Sequence, residues 1–220
     1  MRRTVPVALV ATLWLPSAAH AAALSDYEIG IVRGANSLGA PYLDAPMGVL
    51  SNEFFTVLAP AGMAVAADRG GTSGAVLVLS SEILSFGVAE GLKEIFRRPR
   101  PYVSYPDLRT PQGPMPNDPF SFPSGHAAVS FAAATALADW NGSWAIPAYA
   151  LAALISYSRM YNGMHYLSDL ALGAGVGYGA AKLTRWGIDR LQGRYGFPAL
   201  GVSPTFNLTT GPMVGFSANF

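Results

Sequence analysis

The sequence predicts an all-α protein, a compact helical bundle with a short C-terminal β-hairpin. Apolar residues recur at helical spacing over residues 73–96. An alanine-rich run over residues 127–138 predicts a second buried helix. Beyond Gly196, apolar residues alternate with small or polar ones, which is the period of a strand. With 220 residues and no cysteine, the chain is expected to form one domain without disulfides or thiolate metal sites.

The N-terminus has the pattern of a secretory signal peptide. Two arginines precede an apolar run over residues 5–15, and Ala19-His20-Ala21 offers a small-x-small cleavage site. Residues 1–21 are therefore predicted to be removed. The alternative is an uncleaved first membrane helix, although the apolar run is shorter than the ~20 residues that cross a bilayer.

Glycines and prolines divide the next part of the chain into helical segments. Helices are predicted over residues 25–36 and 43–50. Residues 54–67 are apolar but contain a proline and a glycine that should kink or split them, and residues 68–71 are predicted to form a loop.

Residues 73–96 form the longest periodic segment and are predicted to be one helix. The residues expected to face its core are Val76, Leu77, Leu79, Ile83, Leu84, Val88 and Leu92.

The second half of the chain continues with a loop and three helices. Residues 102–122 are rich in proline, asparagine and aspartate, which predicts an irregular lid or substrate rim. Helices are predicted over residues 127–138, 144–157 and 166–186. The last of them carries four glycines at every second position, Gly173, Gly175, Gly177 and Gly179, which favours close helix packing over a nucleotide loop.

The C-terminal extension, residues 196–220, is predicted to be a β-hairpin that follows a helical domain over residues 22–195. Residues 202–208 and 213–220 alternate around Thr209-Thr210-Gly211-Pro212. A terminal phenylalanine on an alternating strand is also typical of outer-membrane barrels. One hairpin cannot close a barrel, so an appended hairpin is favoured.

A candidate anion site lies where the alanine-rich helix begins. Pro123 and Gly125 interrupt regular structure, so Ser124 and Gly125 are placed at a helix N-terminus. Free backbone N–H groups and the positive end of the helix dipole make such a terminus suitable for an anion. His126 opens the helix and can stand beside that anion. Alone, the stretch is equally consistent with an ordinary capped helix and an incidental histidine.

Two further stretches favour the functional interpretation. Lys93 and Arg100 lie in Lys-x6-Arg-Pro, and Ser158-Arg159 is followed by His165 and Asp169 as Ser-Arg-x5-His-x3-Asp. Together with Pro-Ser-Gly-His, these stretches resemble the three signature motifs of the type 2 phosphatidic acid phosphatase superfamily. That superfamily includes bacterial acid phosphatases, lipid phosphatases and vanadium haloperoxidases. The resemblance covers residues 93–169 and implies the helical bundle of that family.

The motif residues fit the chemistry of a phosphate ester, whose oxygens must be neutralised while a nucleophile attacks in line. The residues expected to form the phosphate cradle are Lys93, Arg100, Arg159, the Ser124 hydroxyl and the Gly125 N–H group. Arg97 and Arg98 have no counterpart in the motifs and are expected to be solvated or rim charges.

His165 and Asp169 are four residues apart, so on a helix they share one face. Asp169 is predicted to accept a hydrogen bond from one ring nitrogen of His165, which leaves the other nitrogen free to attack phosphorus. The resemblance implies a phosphohistidine intermediate on His165. It also implies that His126 protonates the leaving alkoxide and then deprotonates the attacking water.

A metal site is a further interpretation of these residues. His126, His165 and Asp169 could serve as three ligands. However, the three neighbouring cations would crowd a metal ion, whereas they suit an anion, so no metal is expected. Vanadate is expected to act as an inhibitor, or as the cofactor if the chain is a haloperoxidase.

The favoured function is a metal-independent phosphatase acting on phosphomonoesters or on lipid phosphates and diphosphates. The first alternative is a vanadium haloperoxidase, for which the chain is short. The second is a non-catalytic envelope protein, against which the complete motif set argues. The net charge is +1, and nothing in the sequence suggests the clustered positive charge that a nucleic-acid surface needs, so no nucleic-acid partner is expected. The motifs do not specify which phosphate ester is the substrate.

The sequence predicts an exported protein that is periplasmic or faces the periplasm at a membrane. The apolar segments mostly run ~14–18 residues, short of a bilayer span. Carboxylates fall in or against them, namely Glu53, Glu82, Glu90 and Asp139. A secreted bundle, soluble or lying on a membrane, is therefore favoured. An integral inner-membrane protein is the alternative, because the family includes six-helix integral enzymes.

Overall fold

A computed structural model describes residues 18–52, 74–195, 199–207 and 211–219. The described helices are α1 (Ala18–Ser37), α2 (Pro41–Leu50), α3 (Gly74–Phe96), α4 (Pro101–Ser104), α5 (Gly125–Trp140), α6 (Ala145–Tyr161) and α7 (Leu167–Tyr195), with a 3-10 turn at Gly142–Trp144. The predicted helical class is confirmed for this part of the chain.

Several predictions fall on residues outside these ranges. They include most of the predicted signal peptide, the apolar segment 54–67 and the loop 68–71. The domain boundaries at residues 21 and 195 also stay predictions.

Two antiparallel strands follow the helices. β1 (Ala199–Asn207) pairs with β2 (Gly211–Asn219), with Ser203 opposite Gly215. Residues 208–210 between them and the side chains of both strands are not described. The predicted hairpin extension of residues 196–220 as a unit therefore stays a prediction.

Helix α5 is the centre of the bundle and packs against α3, α6 and α7. Six of its seven alanines are buried, and their small side chains let neighbouring backbones approach closely. At Gly173 of α7, an added Cβ would lie 2.5 Å from the Ser124 carbonyl oxygen, and at Gly177 it would collide with the Ala128 carbonyl oxygen. Gly175 and Gly179 face open space. The predicted close packing is thus made by two of the four glycines, Gly173 and Gly177, which lie four residues apart and face α5.

The orientation of α3 differs from the prediction. Of the seven expected core positions only Leu77 is buried, whereas Leu79, Ile83 and Val88 are exposed. The buried face of α3 carries mainly small and polar residues, including Ser81, and it packs on α5 and α7. Large apolar residues at helical spacing therefore mark the outward face of this helix.

One helix of the described part, α3, is long and apolar enough to cross a membrane. A buried helix of a soluble protein can pass the same test. In α3, however, the apolar face points outward, with Ile83 72% and Phe86 54% exposed.

Candidate active site

The predicted site residues converge at one end of the bundle. Lys93 lies in the last turn of α3 and Arg159 in the last turn of α6. Arg100 precedes α4, Ser124 caps the N-terminus of α5, and His165 precedes α7. Helix ends from distant parts of the chain thus present the motif residues to one another.

Backbone hydrogen bonds join the three motifs directly. Pro99 forms an isolated β-bridge with Phe120, and the Ser121 N–H donates to the Arg98 carbonyl oxygen at 2.8 Å. The Ser124 N–H donates to the Asp169 carbonyl oxygen at 3.0 Å. The first motif is therefore fixed to the second, and the second to the third.

Two cations of the cradle meet on one carboxylate. Lys93 Nζ lies 2.9 Å and Arg100 Nη2 2.6 Å from Oδ2 of Asp118. Arg100 Nε also donates to the Asp118 carbonyl oxygen at 2.7 Å, and Lys93 Nζ lies 2.8 Å from Glu90 Oε1. Both cationic side chains are almost fully buried. The oxygen of Asp118 marks a point at which two buried cations hold an anion.

The third cation, Arg159, contacts a different set of groups. Its Nη1 approaches the Ser51 carbonyl oxygen at 3.4 Å, and its Nη2 contacts the Met115 sulfur at 3.3 Å. Ser51 follows α2, and its hydroxyl bonds Ser158 at 2.9 Å and accepts from Asn162 at 2.8 Å. The end of α2 therefore positions Arg159.

His165 is oriented by a backbone carbonyl group. Its Nδ1 donates to the Ser121 carbonyl oxygen at 2.8 Å, because a carbonyl oxygen can only accept. The lone pair consequently lies on Nε2, which receives a hydrogen bond from Arg100 Nη1 at 3.1 Å. Burial and the neighbouring charges of Arg100 and Arg159 lower the pKa of His165 well below its usual range. The ring is thus held neutral, with the lone pair of Nε2 directed toward Arg100 of the cradle.

Asp169 differs from its predicted role. Its Oδ2 lies 3.6 Å from His165 Nδ1, beyond a hydrogen bond, and accepts instead from the Tyr166 N–H at 2.8 Å. Its Oδ1 accepts from Arg98 at 2.8 Å. Burial raises the pKa of Asp169 to about 6, against the opposing charge of Arg98. Asp169 therefore organises the turn around His165 without bonding the ring.

Arg98 is not the solvated or rim charge that the sequence suggested. It binds Asp169 and Glu28, the latter at 2.7 Å, and its guanidinium group stacks 3.8 Å from the centre of the Tyr166 ring. Arg97, by contrast, is exposed, forms an ion pair with Glu94 and lies 6.0 Å from the centre of the Phe120 ring. Arg98 thus compensates the buried charge of Asp169.

His126 is held by the same carbonyl group as Arg159. Its Nε2 donates to the Ser51 carbonyl oxygen at 3.1 Å, which leaves Nδ1 for other partners. Burial, followed by the charges of Arg159 and Lys93, lowers the pKa of His126 well below its usual range. An anion bound between Arg159 and Lys93 would offset their charges and so raise the pKa of His126 again.

Ser124 and Gly125 lie where the sequence placed them, at the N-terminus of α5. The Ser124 hydroxyl caps the helix by accepting from the Ala127 N–H at 3.3 Å. Gly125 lies against the first motif, because an added Cβ would be 3.9 Å from Lys93 Nζ. The helix terminus therefore faces the same space as the cations.

Two cavities meet at His126 and Met115. One, of about 300 Å³, is lined by polar groups that include Ser51, Arg159 and Asn162. The other, of about 690 Å³, extends along α3 and is lined largely by apolar residues. The site thus opens to a polar cavity on one side and to an apolar groove on the other.

Sequence reasoning missed Ser51, Asp118 and Ser121. Each reaches the motif residues through a tertiary contact that has no fixed spacing along the chain. For Ser121, its adjacency to the Pro-Ser-Gly-His motif was the one available signal. For Asp118, it was the presence of a carboxylate in a loop between two cationic motifs.

Comparisons with known proteins agree with these motifs. The family model described as the PAP2 superfamily matches residues 74–192. A lipid A 1-phosphatase of Porphyromonas gingivalis is 37% identical over 70 residues, which are 30% of this chain and 16% of that relative. The match therefore spans only a small part of the relative's length.

Two crystal structures share the fold. Aquifex aeolicus LpxE superposes with a TM-score of 0.62 and 25% identity, covering 73% of this chain and 95% of that one. A transmembrane PAP2-type phosphatidylglycerolphosphate phosphatase from Bacillus subtilis has a TM-score of 0.60 at 20% identity, covering 77% and 88% of the two chains.

Proposed function

The chain belongs to the PAP2 superfamily, and we propose that it is a phosphatase that hydrolyses lipid phosphates through a phosphohistidine intermediate. The observation that carries the proposal is the convergence of Lys93 and Arg100 on one anionic oxygen beside Nε2 of His165. A phosphate oxygen in the place of the Asp118 carboxylate would meet both cations. Arg159, Ser124 and Gly125 would bind the remaining oxygens.

In the first step, Nε2 of His165 attacks phosphorus while the bond from phosphorus to the leaving oxygen breaks. His126 gives its Nδ1 proton to that oxygen, because its Nε2 is already bonded to Ser51. The negative charge of the phosphate offsets Lys93 and Arg159, so substrate binding favours the protonated ring that this step requires. In the second step, water attacks phosphorus, His126 takes the proton of the water, and the nitrogen–phosphorus bond breaks.

The apolar groove supports a lipid substrate. It joins the cradle at Lys93 and His126, so a phosphate in the cradle would place its organic part in the groove. The lipid A 1-phosphatase and the phosphatidylglycerolphosphate phosphatase found as relatives are named for lipid substrates. Export, with the site facing the periplasm, and the absence of a metal requirement are part of the same proposal.

The decisive experiment separates the two histidines by single-turnover bursts of the leaving group, with a chelator present throughout. His165→Ala should abolish the burst from every ester, because it removes the nucleophile. His126→Ala should retain far more of the burst from nitrophenyl phosphate than from an alkyl phosphate, because a nitrophenolate leaves almost unaided. General acid catalysis is typically worth ~10²–10⁴-fold, which sets the expected gap.

Three outcomes would contradict the proposal. They are a surviving burst in His165→Ala, an equal loss for both esters in His126→Ala, and a wild-type burst that requires an added divalent ion. Vanadate should inhibit in competition with phosphate, because a five-coordinate adduct on His165 resembles the transition state.

A further inference from the structure

The apolar groove follows α3 well beyond the phosphate cradle. The residues of α3 that line it run from Leu79 to Lys93, a rise of roughly 21 Å at 1.5 Å per residue. Ile83, Phe86 and Val129 contribute apolar side chains to its walls. A hydrocarbon chain could fill such a groove, but one feature of the wall does not suit a plain hydrocarbon.

That feature is the carboxyl group of Glu82. The residue is 3% exposed, it lines the groove, and neither carboxyl oxygen has a hydrogen-bond partner among the described residues. The nearby hydroxyls of Ser81 and Ser85 are bonded to carbonyl oxygens of α3 itself, at 2.6 and 2.9 Å. Glu82 is therefore a buried polar group that the described part of the protein does not satisfy.

An unsatisfied buried carboxyl group is costly, so its presence in a cavity wall calls for a ligand. The cost is larger in a helix that lies in a membrane, where ionisable residues mark functional sites. A hydroxyl group both donates and accepts, so it can pair with Glu82 whether the carboxyl is ionised or protonated. A hydroxyl group is also small enough to be carried on a chain within the groove.

We infer that Glu82 binds a hydroxyl group on the apolar part of the substrate, and so selects lipid phosphates with a hydroxylated chain. This inference rests on the proposed function, because it assumes that the phosphate occupies the cradle. Glu82 and Lys93 lie 11 positions apart on one helix, or roughly 16 Å along its axis. The hydroxyl should lie about that far from the phosphate.

The selection of hydroxylated over plain chains follows from the burial of the Glu82 carboxyl group. A hydroxylated chain satisfies the carboxyl group, whereas a plain chain fills the groove and leaves it unpaired. Sites that hydrogen-bond a substrate hydroxyl reject analogues without it more strongly than apolar sites distinguish methylene groups. The preference should therefore appear in kcat/KM and depend on hydroxyl position.

The test uses monoacylglycerol phosphates of one chain length, either unsubstituted or with a single hydroxyl at successive positions. Phosphate release by the full chain in detergent gives kcat/KM for each. The wild type should prefer one hydroxyl position over the plain chain by about 10-fold or more. Glu82→Leu should lose that preference, and Glu82→Gln should retain part of it, because an amide also donates and accepts.

Glu94→Gln is the matched control, since it removes an exposed carboxylate from the same helix away from the groove. It should keep the wild-type preference. The inference is overturned if the wild type shows no preference for one hydroxyl position. It is also overturned if Glu82→Leu retains that preference. The wild-type series decides even if Glu82→Leu does not fold. Failure to hydrolyse any of these lipids or nitrophenyl phosphate would instead contradict the proposed function.

Discussion

At the scale of single residues, the cradle already contains an anion. Asp118 places one carboxylate oxygen between Lys93 and Arg100. Three residues earlier in the same loop, Met115 contacts Arg159. The loop therefore covers all three cations, and a phosphate that binds them must displace the carboxylate or share the cations with it.

Asp118→Asn should strengthen phosphate binding, because it removes the competing charge. We expect the Kd for inorganic phosphate, measured by calorimetry, to fall by up to about tenfold, the order of one charge-assisted hydrogen bond. Asp107→Asn is the control, since it removes an exposed carboxylate that pairs with Arg33. Weaker binding in Asp118→Asn would show that the carboxylate positions the cations for the substrate.

The two histidines should titrate at unusually low pH. Burial and adjacent cations disfavour the charged ring, so both imidazoles should stay neutral as the pH falls through 6.5. An NMR titration of ring nitrogens, assigned with His126→Ala and His165→Ala, would measure both midpoints. Added phosphate should raise the midpoint of His126. A midpoint at or above 6.5 in the free protein would contradict this electrostatic description.

The motifs allowed the convergence of these side chains to be predicted from sequence, whereas the roles assigned to them stay predictions. Lys93, Arg100, Arg159 and the two histidines do converge, because fixed spacings place them at helix ends that a bundle brings together. The hydrogen bond assigned to Asp169 was not predictable in detail. The spacing of four residues places Asp169 on the same helix face as His165. The direction of its carboxylate oxygens, however, is set by the hydrogen bonds that Tyr166 and Arg98 donate to them.

At the scale of helices, the contact between α5 and α7 supports the site. Gly173 and Gly177 let α7 approach the backbone of α5 near Ser124 and Ala128. The same contact carries the hydrogen bond from Ser124 to Asp169. Close packing of these helices therefore fixes the second motif against the third.

Gly177→Ala should destabilise the fold, because its Cβ would collide with the Ala128 carbonyl oxygen and lie 2.7 Å from the Ala132 nitrogen. Overpacking of this kind typically costs ~1–3 kcal/mol. Gly175→Ala is the matched control, since nothing lies within 4 Å of its added Cβ. Because alanine has a higher helix propensity than glycine, Gly175→Ala should raise the free energy of unfolding by roughly 0.5–1 kcal/mol. Denaturant unfolding in mild detergent would measure both, and equal effects would contradict the close approach of α7 to α5.

The orientation of α3 is the feature of the helices that the sequence prediction had wrong. Periodicity located α3 to within one residue at its start, but it assigned the large apolar residues to the core. Hydrophobic period alone identifies two faces of a helix and does not say which one packs. In α3 the face with Ser81 and Ser85 packs inward, because small side chains permit close contact with α5 and α7. The large residues are left outside.

At the scale of the whole molecule, the described helices carry many exposed apolar side chains. Large hydrophobic side chains are exposed on α3, α6 and α7, including Ile95, Ile146, Leu183 and Trp186. Soluble monomers rarely expose such extensive apolar surface, which marks interaction with a membrane or a partner. Most of the buried ionisable groups, in contrast, gather at the end of the bundle that holds the site, and Glu82 of α3 is the exception among the described residues. This arrangement suits a bundle whose sides lie in lipid and whose catalytic end meets water.

The last prediction concerns the surroundings of α3. If its outer face lies in lipid, the protein should stay with the membrane through osmotic shock and a high-salt wash and be released only by detergent. Val88→Lys places a charge at an exposed position near the middle of this helix. In water such a change costs at most about 0.5 kcal/mol. At the centre of a bilayer span, a lysine costs roughly 2.5–3.5 kcal/mol.

Val88→Lys should therefore sharply reduce the amount of membrane-inserted protein. Glu94→Lys, at an exposed position in the last turn of α3, should not, because the end of the helix can reach the interface. Release of the wild type by osmotic shock, together with normal yields of Val88→Lys, would mean that water covers this face. The substrate would then be expected among soluble esters, since the groove along α3 would open to water instead of to lipid.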